Sequence, residues 1–192
     1  MRLRFAASAA VALLLLATVG SALPFPPQLT KGTLEDGVYH HTATGTDIRL
    51  PAGWLIMGDS DSSSGGEAVM LRDSAGQSYS VWMISSSIPV ANIPAALEHD
   101  VDYKIHQHAV HGVHLKMRPR TLLKWPIGGG DGQALAVAFD LGQHGAKIEY
   151  DTWVRTGKTM VYFSSICPAS SIRMIQDRFQ ILVSATVVPP AR

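Results

Sequence analysis

Residues 147–184 read KIEYDTWVRTGKTMVYFSSICPASSIRMIQDRFQILVS, and the spacing of their apolar side chains changes once along the way. From Lys147 to Ile166 the pattern alternates with a period of two, the signature of strands. Arg155-Thr156-Gly157-Lys158 divides that stretch, so it reads as two antiparallel strands joined by a tight hairpin, with glycine supplying a positive backbone angle. In the second strand Val161 and Phe163 face one way while Met160, Tyr162 and Ile166 face the other, so both faces of the sheet need cover. Past Pro168 the period becomes helical. Ser170 or Ser171 is placed to cap a helix over about 170–183 that buries Ile172, Ile175, Phe179 and Leu182.

The same period of two recurs upstream in GVYHHT, DIRLP, EAVMLRD, QSYSVWMIS, VHLKM and ALAVAFDL. Asp73-Ser74-Ala75-Gly76 separates two of these runs as a second glycine hairpin. One more segment is helical: Asn92 is a cap, Pro94 sits in the first turn, and Leu97, Val101 and Ile105 recur every four residues over about 93–108. Each helix is positioned to cover part of a sheet. The expected class is α+β, an α/β/α sandwich with a mostly antiparallel central sheet covered by helices on its faces. No internal repeat is present, and the polar stretch GDSDSSSGGE at 58–67 has loop composition.

The chain has 192 residues. Its first 22 residues have two arginines, an apolar run from Phe5 to about Val19, and small residues at Gly20, Ser21 and Ala22. That is the layout of a secretory signal peptide, and the run is shorter than the roughly 20 residues that span a bilayer. Cleavage after Ala22 leaves a proline-rich lead-in, 23–36, and a single domain, 37–192, exported to a periplasmic or extracellular space with no membrane insertion. Losing Arg2 and Arg4 lowers the 16 Lys and Arg to 14, against 15 Asp and Glu. Such a balance offers no basic surface for nucleic acid or anionic lipid. The single cysteine, Cys167, excludes an internal disulfide and reads as a buried, inert thiol at a strand end.

The order of these pieces carries a resemblance. GVYHHTATGTDIRLPAGW leads, a hairpin, a helix and GGGDGQALAVAFDL follow, and YDTWVRTGKTMVYFSS runs into a terminal helix and SATVVP. From about Gly37 to Pro189 this resembles the PsbP-like family. The most telling parts are Leu50-Pro51-Ala52-Gly53-Trp54, a strand ending in a turn capped by an aromatic, and Gly132-Gln133-Ala134-Leu135, which opens a strand after a loop. The resemblance implies the α/β/α sandwich shared with the extrinsic subunit of the oxygen-evolving complex and a Ran-binding nucleotide-release factor. It also implies an exported or lumenal accessory protein that binds a protein partner and shares no catalytic residues with its relatives.

Several residue groups invite chemistry. The segment HQHAVHGVH puts His106, His108, His111 and His114 close together. On a helix His106 and His108 diverge by about 200° while His108 and His111 share a side; on a strand Gly112 interrupts the run. Neither geometry converges all four rings, and a zinc site needs three or four ligands, so His99, His40 or His41 would have to join them. These histidines remain the candidate ligands of an alternative function, transition-metal or small-molecule binding, and no cofactor is assigned. Gly58-Asp59-Ser60 imitates the nucleophile block of the GDSL hydrolases, but no histidine follows His144 to act as its base. As a calcium loop the same region lacks the turn glycine, where Ser64 stands, and the closing glutamate, where Met70 stands. GGGDGQ lacks a phosphate-loop lysine and reads as a long turn. Glu149 and Asp151 share a strand face beside Trp153, as half of an acid and base pair or, more simply, as a solvated outer face. Tyr150, Trp153, Tyr162 and Phe163 are either pocket walls or core. No complete catalytic set emerges. The expected function is a non-enzymatic, exported accessory or binding domain acting on a protein partner.

Overall fold

The computed structural model describes residues 28–61, 66–85, 90–112, 115–117, 121–123, 132–141 and 147–189. The residues read above as a signal peptide, His114 and most of the GGGDGQ stretch lie outside them. In chain order the strands are β1 (Gly32–Glu35), β2 (Val38–His41), β3 (Asp47–Arg49), β4 (Leu55–Asp61), β5 (Glu67–Arg72) and β6 (Ser78–Ser85). Helix α1 (Ile93–Val110) precedes β7 (Lys116–Met117), β8 (Thr121–Leu123), β9 (Gln133–Asp140), β10 (Lys147–Arg155) and β11 (Thr159–Pro168). A short 3-10 turn (Ala169–Ser171) leads into α2 (Ile172–Ser184), and β12 (Thr186–Val187) closes the chain.

Among the described residues two sheets form, and every pairing is antiparallel. The larger runs β4-β5-β6-β11-β10-β9-β7, with β8 also on β9; the smaller runs β1-β2-β3-β12. Because side chains alternate along each strand, residues paired across strands share a face. One face of the large sheet carries Val81, Ala136, Val154 and Phe163, which pack with Ile175, Phe179, Leu182 and Val183 of α2 and with Tyr39 and Ile48 of the small sheet. The other face carries Leu135, Val137, Phe139 and Trp153 beneath Ile93, Leu97 and Val101 of α1. The α+β class holds, with one helix on each face and a second sheet that the sequence pattern did not announce.

The α2 core is aromatic. Phe179 has its ring centroid 5.2 Å from Tyr150, 5.3 Å from Tyr79 and 6.3 Å from Phe163. Trp54, the aromatic of the LPAGW turn, stacks on Tyr79 at 4.8 Å. Gly53 turns the chain there with φ +82, and a Cβ on it would come within 3.0 Å of Ser74 Cβ. Asp73 ties the β5–β6 hairpin to α2: its carboxylate accepts bonds from the backbone N–H of Ala75 and Gln77 and from Tyr79 Oη, and it pairs with Arg178. Cys167 is buried, and burial pushes its thiol above the ordinary value.

Four local expectations need correction. Gly58 to Asp61 is not loop but the end of β4, because Asp59 is captured across the sheets. Its carboxylate accepts from Thr30 N–H at 2.6 Å, Thr30 Oγ1 at 3.1 Å, Lys31 N–H at 2.9 Å and Tyr39 Oη at 3.0 Å. Burial works against the charge, but these donors outweigh it and hold the acid below the usual carboxylate range. The same bonds anchor β1, so paired structure begins inside the stretch read as a loose lead-in, ahead of Gly37. Gly76 does turn with φ +78, but Gly157 is not among the glycines with positive φ. There Thr156 closes the hairpin with its hydroxyl, which accepts from Thr159 N–H at 3.1 Å. Finally, Ser171 makes no side-chain capping bond, since the 3-10 turn runs directly into α2.

Candidate functional site

Helix α1 covers only part of its face of the large sheet. Asn92 caps it, the side chain accepting from Ala95 N–H at 3.1 Å, and it ends where Gly112 adopts φ +75. Its buried stripe lies over β9 and β10, and Arg155 fastens it there through two 2.7 Å bonds to the Asp100 carboxylate. The rest of that face, over β6 and β11, stays open beside the helix. A cleft of about 490 Å³ results, lined from the sheet by Ser80, Trp82, Ile84, Glu149, Trp153 and Tyr162 and from the helix by Tyr103, Lys104 and His108.

Register explains its shape. Ala68, Trp82, Tyr162, Trp153 and Leu135 are successive cross-strand partners, so three aromatic rings lie in one row across β6, β11 and β10. The neighbouring row, Met70, Ser80, Ser164 and Asp151, has two serines at its centre. Small side chains beside a ridge of rings make a trough, and it runs under α1 toward the two carboxylates of β10. Trp153 and Tyr162 stand 4.9 Å apart at that point.

Lys104 reaches from α1 into the closed end of the trough. Its ammonium is 2.7 Å from Glu149 Oε1 and 2.7 Å from Tyr162 Oη, and it also bonds Asp151 Oδ2. Ser164 Oγ donates to the same Glu149 oxygen at 3.2 Å. Nζ lies 5.3 Å from the ring centroids of Phe139 and Tyr162 and 5.9 Å from that of Trp153, within the reach of a cation–π contact. Asp151 is fully buried, and burial pushes its carboxyl up to about 6 in spite of the Lys104 charge beside it. Burial also drives the Tyr162 phenol well above its ordinary value, the two neighbouring carboxylates adding to the effect.

The solvated outer face expected for Glu149 and Asp151 is therefore wrong: α1 and Lys104 cover both. Of the four aromatics weighed as pocket or core, Trp153 and Tyr162 line the cleft, while Tyr150 and Phe163 lie on the opposite face around Phe179. The alternation along β10 and β11 divides them. The sequence reading missed Lys104, although a signal was available. It follows Val101 by three positions on the buried stripe, where a lysine needs a carboxylate partner.

The histidines scatter. His106 is exposed on α1, His108 reaches the cleft rim, and His111 sits just past the helix end. His99 stacks on Tyr103 at 6.4 Å, and His40 bonds Asp47 at 2.7 Å. His41 is buried at the edge of a second cavity of about 630 Å³, with Nδ1 2.7 Å from Thr44 Oγ1 and Nε2 2.5 Å from Glu67 Oε2. Burial lowers its pKa against the pull of Glu67. Lys31 neutralises the acids of that cavity, 2.5 Å from Asp61 and 3.9 Å from Glu67. Among the described residues no three His, Cys, Asp or Glu side chains are placed to hold one metal ion. No helix among them is long and apolar enough to cross a membrane.

No family model matches the chain, and no curated protein does. Among solved structures it is similar to the solution structure of cyanobacterial PsbP (CyanoP) from Synechocystis sp. PCC 6803, with a TM-score of 0.54 and 17% identity. The match covers 88% of this chain and 98% of that one. The fold is PsbP-like.

Proposed function

We propose that this protein is an exported, non-enzymatic accessory domain that binds a protein partner through the cleft between α1 and the large sheet. The observation that carries this reading is the cleft itself: a row of rings and a serine-floored trough left open beside a helix that closes one end. Three further points support it. The charged groups in the cleft are engaged with one another, Lys104 with Glu149 and Asp151 and Arg155 with Asp100, which suits a rigid recognition surface better than proton transfer to a substrate. The PsbP-like fold, layered as an α/β/α sandwich in the family, is one that the resemblance associates with accessory proteins. The N-terminal charge, apolar run and small residues direct removal of residues 1–22 and delivery of the remainder to a periplasmic or extracellular space.

A photo-crosslinking side chain placed at Trp82, in the cleft, and in a second variant at Ile181, exposed on α2, separates this from its competitors. In the native extracytoplasmic fraction the Trp82 position should give discrete protein adducts that the Ile181 position does not. Equal adduct patterns at both positions, or none at Trp82, would overturn the assignment.

A further inference from the structure

The hydrogen-bonding capacity of the cleft is one-sided. A lysine ammonium has three N–H donors, and those of Lys104 go to Glu149, Asp151 and Tyr162. Arg155 gives Nε and Nη2 to Asp100. On the acceptor side, Glu149 Oε1 takes both Lys104 and Ser164, and the carboxylate lines the cleft. Asp151 Oδ1 is fully buried and has no partner among the described residues. The charges are uneven in the same direction: Lys104 and Arg155 stand against Asp100, Glu149 and Asp151. An anion entering here finds these cations engaged and one negative charge in excess. A cation finds the Glu149 carboxylate in the cleft wall and a charge excess of the right sign.

The walls share that preference. Aromatic faces attract cations, and the rings of Phe139, Trp153 and Tyr162 already surround one ammonium. Trp82 continues the row outward from Tyr162 to the open side, with Ile84 and Met160 beside it. An apolar stem can lie along these side chains while its charged end reaches Glu149.

We propose that the cleft binds an alkylammonium or guanidinium group on an aliphatic stem, the chemistry of a lysine or arginine side chain, with the charge on Glu149 and the stem along Trp82. This rests on the cleft being the partner-binding surface and names what that surface recognises.

The test uses the whole secreted chain at neutral pH, titrated by calorimetry with hexylamine, hexan-1-ol and hexanoate, and separately with the peptides acetyl-Gly-Lys-Gly-amide and acetyl-Gly-Leu-Gly-amide. Hexylamine should bind about tenfold or more tightly than either isostere, the discrimination expected of one hydrogen bond between charged groups. The lysine peptide should exceed the leucine peptide likewise. Binding stronger for the lysine peptide than for hexylamine identifies a polypeptide source; the reverse order identifies a free amine. Glu149→Gln keeps an oxygen for Lys104 and Ser164 and should lose the preference for the amine. Trp82→Ala, away from the ion cluster, should weaken hexylamine binding and guards against misfolding of the first variant. Equal or tighter binding of hexanoate or hexanol, no binding at millimolar amine, or an unaltered preference in both variants overturns the proposal. Cleft-specific crosslinks found together with any of those results would leave the partner-binding reading standing and remove only the cation.

Discussion

Replacing Lys104 by Met takes a cation from between two covered carboxylates and keeps a side chain of similar length. In the native protein the lysine side chain is 12% exposed, that of Glu149 13% and that of Asp151 0%. Breaking such a pair by removing one member costs about 3 to 5 kcal/mol, because the remaining charge stays buried without compensation. The loss depends on pH. Asp151 titrates at about 6 in the folded protein, above its value in the unfolded chain, so the fold binds its proton more tightly. Its contribution to stability is therefore greatest below about pH 4 and declines as pH rises toward 6. Without Lys104 the folded carboxyl moves higher still, and that decline extends past neutrality. Urea melts at about pH 7.5 should show the full deficit, a midpoint lower by roughly 2 M for a slope near 2 kcal/mol/M. At about pH 5, where Asp151 is protonated in the variant, the deficit should shrink to roughly 1 to 2 kcal/mol. Adding Asp151→Asn to the lysine variant should recover most of the loss at the higher pH. A deficit below about 1 kcal/mol at both pH values, the size of an ordinary surface change, would refute the buried ion cluster.

The remaining expectations concern the core, the histidines and export. Phe179→Ala removes the ring that Tyr79, Tyr150 and Phe163 surround and should cost about 3 to 5 kcal/mol in denaturant melts; under about 1 kcal/mol would mean the α2 face is misplaced. Zinc, nickel and copper should show no stoichiometric binding at or below about a micromolar dissociation constant that disappears when His106, His108, His111 and His114 are all changed to Ala. Intact-mass measurement of protein from the extracytoplasmic fraction should find Leu23 as the first residue, and a species there retaining Met1 would contradict the signal peptide.

The strands and helices were legible where one period dominates. β11 alternates, β9 is an apolar run and β10 a mixed one, both bounded by polar residues, and both helices carry stripes at three and four residues, so their positions agree with the pattern to within a few residues. β1 and the end of β4 were not legible. Gly58-Asp59-Ser60-Asp61 has the composition of a loop, and what makes it a strand is distant: donors from Thr30, Lys31 and Tyr39 converging on Asp59. The candidate site was half legible. The two carboxylates and the rings of β10 and β11 stood out in the sequence, but their burial depends on where α1 lies across the sheet, which is a tertiary matter. Lys104 links the two, and a side chain whose role depends on a helix crossing cannot be assigned from spacing alone.

The small sheet imposes an order on folding. Its first strand comes from near the start of the described chain and its last, β12, from near the other end, so Val187 must find Asp47 across nearly the whole domain. A chain that emerges from its N-terminus presents β1, β2 and β3 early, yet β3 keeps a bare hydrogen-bonding edge until the final strand arrives. Completion of the small sheet is then non-local by topology: the domain holds an unfinished edge while it folds, and the sheet is sealed only once β12 has docked.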